Sequence, residues 1–210
     1  ELGIPFSDPM ADGPVIQEAS GVAIENGMTL KLLFEQLKDI RKEVSIPILL
    51  MGYLNPVMQY GYEEFCKSCQ EVGIDGAILP DLPLYEYKKE YKDLFESHGL
   101  ANTFLITPET APERIKELDS LTNGFLYLVS SSSTTGKKSG IDGTIDYLSR
   151  VKDMNLTSPS LIGFNIKDSE SYKIACTYSD GAIIGTAFIK AIANSNNFKT
   201  SIKDFVSSIR

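Results

Sequence analysis

Six short stretches of nearly unbroken apolar residues, separated by longer segments of mixed character, constrain the fold more than any other feature. They are residues 47–53 (PILLMGY), 76–82 (GAILPDL), 101–107 (ANTFLIT), 124–130 (GFLYLVS), 159–165 (PSLIGFN) and 181–187 (GAIIGTA). A strand with one face in water alternates apolar and polar residues. These runs do not, so they read as parallel strands buried on both faces. The segments between them carry a helical period instead. In 29–43, Leu30, Leu33, Phe34, Leu37 and Ile40 fall on one face with charged residues opposite, and 62–72, 85–97, 112–121, 144–154, 169–178 and 199–209 read similarly. Pro112 suits the first turn of its helix.

Strand and helix alternating six times, with no composition shift or long linker, indicate a βα-repeat domain, either a doubly wound open sheet or a barrel. No G-x-G-x-x-G follows the first strand, so the dinucleotide-binding sheet loses ground and the (β/α)8 TIM barrel leads. Glu1-Leu-Gly reads as the exit of an earlier strand. A complete barrel takes about 250 residues and eight strands, so we expect a single α/β barrel domain over 1–210 that lacks the first βα unit and most of strand 2, roughly 40 residues. A chain that truly began at Glu1 would place an ammonium beside that carboxylate and favour its charged form.

The formal charge of −8, with Lys and Arg dispersed, argues against nucleic acid or an anionic membrane surface as partner. Phosphorylated metabolites stay open, because backbone amides bind phosphate without a basic surface. No apolar run approaches the roughly 20 residues of a membrane span, and 3 cysteines make no disulfide scaffold, so a cytoplasmic protein is expected.

Barrel active sites are built at the C-terminal ends of strands. On that frame residues 1–3 end a strand, 5–14 form its loop, and a helix is entered at Val15. Glu1 and Asp12 then belong to one βα connection and can converge on a ligand, and paired carboxylates in different environments divide acid and base roles. Spacing alone also allows a structural reading, in which Asp8 and Asp12 serve as turn or helix-capping residues.

The segment ELGIPFSDPMADGPVIQ resembles the signature of the tryptophan synthase alpha subunit. The resemblance extends down the chain through Tyr53-Leu-Asn-Pro, Ile78-Leu-Pro-Asp-Leu-Pro, Thr107-Pro, Ala111-Pro-Glu-Arg, Phe125-Leu-Tyr, Thr135-Gly, Gly163-Phe and Gly185-Thr-Ala. It implies retro-aldol cleavage of indole-3-glycerol phosphate to indole and glyceraldehyde 3-phosphate, with no metal and no organic cofactor. By resemblance Glu1 shuttles the proton at indole C3 and the glyceryl hydroxyl, Asp12 hydrogen-bonds the indole N–H, and Tyr127 positions Glu1 and substrate. It places phosphate on Gly136, Gly163, Asn165, Gly185 and Thr186, and the indole ring against Met51, Ile78, Ile106, Phe164 and Ile183. Taken singly, those apolar residues are ordinary barrel core. The implied partner is a pyridoxal-phosphate beta subunit in an alpha2beta2 assembly, contacted by the loop after Asp12 and by Asn55-Pro56. A stand-alone lyase, or a degenerate subunit that only activates its partner, are the alternatives.

Three departures from the family stand out. Asn165 replaces the usual glycine, tolerating a left-handed backbone but narrowing the room for phosphate, and Thr186 replaces serine while keeping its hydroxyl. The small, polar stretch 130–140 suits a water-excluding lid, although it lacks the family's arginine and Ser-Gly pair. Ser131 and Lys138 rule out a Walker A loop there. Cys66 and Cys69 form C-x-x-C inside a helical pattern without a second pair, which reads as structural thiols. His98 precedes Gly99 at a helix end and reads as a dipole-favouring residue. Asp8 and Asp12, in one loop without a third ligand, make no metal site.

Overall fold

Parallel strands, each leading into helix, recur along the chain in a computed structural model that describes residues 1–9, 12–129, 141–163, 165–193 and 195–209. The chain divides into two compact units, Glu1–Phe104 and Leu105–Arg210.

In the first unit, β1 (Leu2–Gly3), β2 (Leu49–Met51), β3 (Gly76–Ile78) and β4 (Ala101–Ile106) follow one another in spatial order, each parallel to the next. The β4 strand runs on past the unit boundary. Register partners in a parallel ladder share a face, so Leu2, Leu50, Ala77 and Asn102 form one row and Gly3, Met51, Ile78 and Thr103 the other. Phe104, two residues beyond Asn102, packs edge-on against Tyr87 with ring centroids 5.1 Å apart, so the first row faces the helices. The second row faces the other way. Glu1, two residues before Gly3, belongs to that second row.

Helices α1 (Pro14–Glu25), α2 (Leu30–Leu37), α3 (Leu54–Tyr60), α4 (Tyr62–Val72), α5 (Leu84–Glu86) and α6 (Lys92–Ser97) complete the unit, with a π turn over Tyr87–Tyr91. Thr29 caps α2 by accepting the Leu32 N–H, and Leu30, Leu33, Phe34 and Leu37 are its buried face. Leu50, Val57, Phe65, Cys66, Cys69 and Leu100 are fully enclosed, each apolar side chain contributing about 1.5–3 kcal/mol by leaving water. Gly52 is required by close approach, since a Cβ there would stand 2.6 Å from the Ile4 Cβ where the chain leaves β1.

The second unit pairs β5 (Leu126–Val129), β6 (Ser160–Gly163) and β7 (Gly181–Ala182) in parallel, again in sequence order. Its helices are α7 (Pro112–Leu121), α8 (Ile141–Asp153), α9 (Ser169–Tyr178), α10 (Thr186–Ala193) and α11 (Phe198–Ile209). Helix α7 opens at Pro112 on an Ala111 cap, and Asp168 closes a capping box with Ser171 at the start of α9. Ile115, Leu126 and Leu128 are fully enclosed.

The strands are shorter than the apolar runs. Residues 79–82 lie beyond β3, yet Leu79 and Leu82 are buried as loop residues. The run 181–187 keeps only two strand residues and ends inside α10, because Thr186 begins a helix. Neither α3 nor α10 is expected from the helical periodicity.

Candidate active site

The acids of the first unit are organised by neighbours on two successive βα connections. Asp12 lies on the connection from β1 to α1, and its side chain is no helix cap: Gly13 holds the N-cap position, with no side-chain cap bond. The Asp12 carboxylate instead accepts a hydrogen bond from the Tyr53 hydroxyl, Oη to Oδ2 at 3.0 Å. Tyr53 comes from the next connection, between β2 and α3. The backbone around Asp12 is fixed as well, its N–H reaching the Pro9 carbonyl at 3.0 Å and its carbonyl accepting Gln17 Nε2 at 2.9 Å.

Burial raises the Asp12 carboxyl above its ordinary value, and the Tyr53 hydrogen bond works against that rise. Glu1 is raised too. The protein packed around its carboxyl disfavours charge, and the Asp12 charge adds to this. The Asp12 charge reaches Glu1, so the two carboxyls lie near enough for the one to influence the other.

Met51 and Ile78 are register partners on the strand face that carries Glu1. Ile78 is buried and Met51 half-buried.

In the second unit, Tyr127, Leu161 and Gly181 share one strand face. Tyr127 is buried on β5. Gly163 ends β6 opposite Val129, and a Cβ there would overlap the Tyr127 ring and hydroxyl, so glycine is demanded by the tyrosine. Asn165 takes the left-handed conformation, φ 59°, as its side chain permits. Ile183 follows β7 and donates its N–H to the Ile162 carbonyl at 2.8 Å. Gly185 is exposed beside Thr186, the first residue of α10, whose free N–H end suits an anion. Ile106 is buried at the end of β4, its carbonyl accepting the Tyr147 hydroxyl at 2.9 Å. Gly136, Phe164 and the stretch 130–140 lie outside the described residues.

Tyr53 is the site residue that sequence reasoning misses, although Tyr53-Leu-Asn-Pro marks its position. The C-x-x-C thiols are buried in α4, where burial pushes the Cys66 thiol up to about 12. Among the described residues no group of three or more His, Cys, Asp or Glu could hold a metal, and no helix is long and apolar enough to cross a membrane.

Parallel βα units, with one raised carboxyl beside β1 and a second on the loop that follows it, define an enzyme of the (β/α) barrel class. Comparison with known proteins takes this further. The family model described as tryptophan synthase alpha chain matches residues 1–209, and the chain belongs to that family of lyase-type enzyme subunits. The tryptophan synthase alpha chain of Flavobacterium psychrophilum is 58% identical over 210 residues, covering 100% of this chain and 82% of its own length. That of Christiangramia forsetii is 54% identical over 211 residues, with 100% and 82% covered. The solved tryptophan synthase A-subunit of Pyrococcus furiosus superposes with a TM-score of 0.87 at 34% identity, covering 99% of this chain and 84% of that one.

Proposed function

We propose that the protein cleaves indole-3-glycerol phosphate to indole and glyceraldehyde 3-phosphate, with Glu1 and Asp12 as its catalytic groups. Carbon–carbon cleavage requires the indole ring to accept the bonding electrons, so C3 must be protonated while positive charge develops towards N1. The family match over residues 1–209 carries this reading, and Glu1, whose carboxyl is raised by burial, is suited to deliver that proton and to take one from the glyceryl hydroxyl. Asp12 supplies the anion beside the developing cation. Tyr127 serves as a positioning group, and Met51, Ile78, Ile106, Phe164 and Ile183 as apolar walls. Gly136, Gly163, Asn165, Gly185 and Thr186 receive the phosphate, the α10 N-terminus adding its dipole. The reaction needs no cofactor.

The family implies a partnership with a beta subunit, and we place this chain in an alpha2beta2 assembly with Asn55-Pro56 at the contact. The test is direct. Indole must form from indole-3-glycerol phosphate in buffer with no added cofactor, and faster once a beta subunit is present. Absence of indole under both conditions overturns the reading.

A further inference from the structure

We infer that Tyr53 is the positioning residue of Asp12, its hydroxyl fixing the orientation of the carboxylate that faces the indole N–H; this rests on the role given to Asp12 under Proposed function. The geometry that supports it is over-determined. The Tyr53 ring packs on Phe6 with centroids 5.3 Å apart, and Phe6 is pinned by Ser20, whose Oγ accepts its N–H at 3.0 Å and donates to its carbonyl at 3.3 Å. On the other side, the N–H of Leu54 is held by both Asp81 oxygens, at 2.8 and 3.0 Å. The tyrosine is thus fixed at its ring and at the following peptide, and its hydroxyl crosses from the β2–α3 connection to a carboxylate on the β1–α1 connection. Asp12 spends no oxygen on capping α1. A residue kept only to tie two loops together would serve as well on a backbone carbonyl; this one is spent on a carboxylate that burial disfavours.

Tyr53→Phe separates the roles, because it retains the ring packed on Phe6 and removes only the hydroxyl. The Asp12 carboxyl is titrated by carbon-13 NMR in the ligand-free protein, and the pH profile of indole release is recorded alongside. Loss of a hydrogen bond to the charged form raises the Asp12 midpoint by on the order of one pH unit and moves the acid limb of kcat to higher pH. It lowers kcat roughly tenfold, with KM little changed. Tyr60→Phe, which removes a hydroxyl at the far end of α3 that bonds Ser68 of α4 at 3.0 Å, leaves both readouts in place. An unmoved Asp12 midpoint overturns the inference, and so does a loss of thermal stability with no change in the acid limb. If the midpoint moves but the unsubstituted protein makes no indole, the tie to Asp12 stands and the reading of Asp12 as catalytic falls.

Discussion

Gly163 stands against the ring of Tyr127 with no room for a side chain between them. The contact joins the exit of β6 to the middle of β5, so the least bulky residue of one strand sets the place of the largest residue of the other. Gly163→Ala therefore displaces Tyr127 or spreads the strands, at a cost of about 1–3 kcal/mol in urea denaturation. Gly21→Ala, inside α1 where nothing lies within 4 Å of the added methyl, stabilises by about 0.5–1 kcal/mol instead. Equal effects for the two substitutions would contradict the packing described here.

Glu1 carries a pH signature in stability as well as in rate. Burial, with the Asp12 charge adding to it, holds its carboxyl above the ordinary glutamate value in the folded protein. The folded state then binds the proton more tightly than the unfolded one. The stability this confers is complete below the unfolded value and is lost as pH rises through the folded value. Thermal unfolding of Glu1→Gln should accordingly gain on the unsubstituted protein as pH climbs through that window, and a flat difference contradicts the shift.

Asp119 acts in the opposite sense. Burial works to raise it, but N–H groups of Thr157 and Ser158 at 2.9 and 2.8 Å and the hydroxyls of both residues bring it below the ordinary aspartate value. Its contribution is present above the unfolded value and lost as pH falls through the folded one. Asp119→Asn should cost about 1 kcal/mol at neutral pH, a low figure because water screens the half-exposed carboxylate. The difference between the two proteins should shrink in acid, which chemical denaturation at two pH values measures.

Thiol labelling distinguishes buried from reactive cysteine. Cys66 and Cys69 are buried in α4, and burial raises both, whereas Cys176 is exposed. A thiol reagent should modify one cysteine in the native protein and three in denaturant. Rapid native labelling of all three would contradict the packing of α4.

Helices with a strong period were legible in the sequence to the residue: α4, α7 and α9 have the expected bounds. The strands were legible in place but not in length, because an apolar run records burial rather than hydrogen bonding, and Leu79 and Leu82 stay buried after β3 has ended. Helix α3 is hidden because its Asn55-Pro56 reads as turn chemistry, whereas proline fits a first helical turn. The π turn at Tyr87–Tyr91 interrupts a helix whose period gives no sign of it. Glu1 and Asp12 were legible as candidates from their place at a strand end and on the loop that follows it. Tyr53 was not, since its reach to Asp12 depends on β1 and β2 being neighbours, a relation between residues 41 positions apart.

The central claim is that Glu1 moves the proton, and the most direct measurement compares indole release by the unsubstituted protein with that of Glu1→Gln at saturating indole-3-glycerol phosphate. The glutamine keeps size and polarity but can neither give nor take the proton. A fall in kcat of roughly 10²–10⁴ with KM little altered is the expected result. Indole release by Glu1→Gln at the unsubstituted rate would contradict the account.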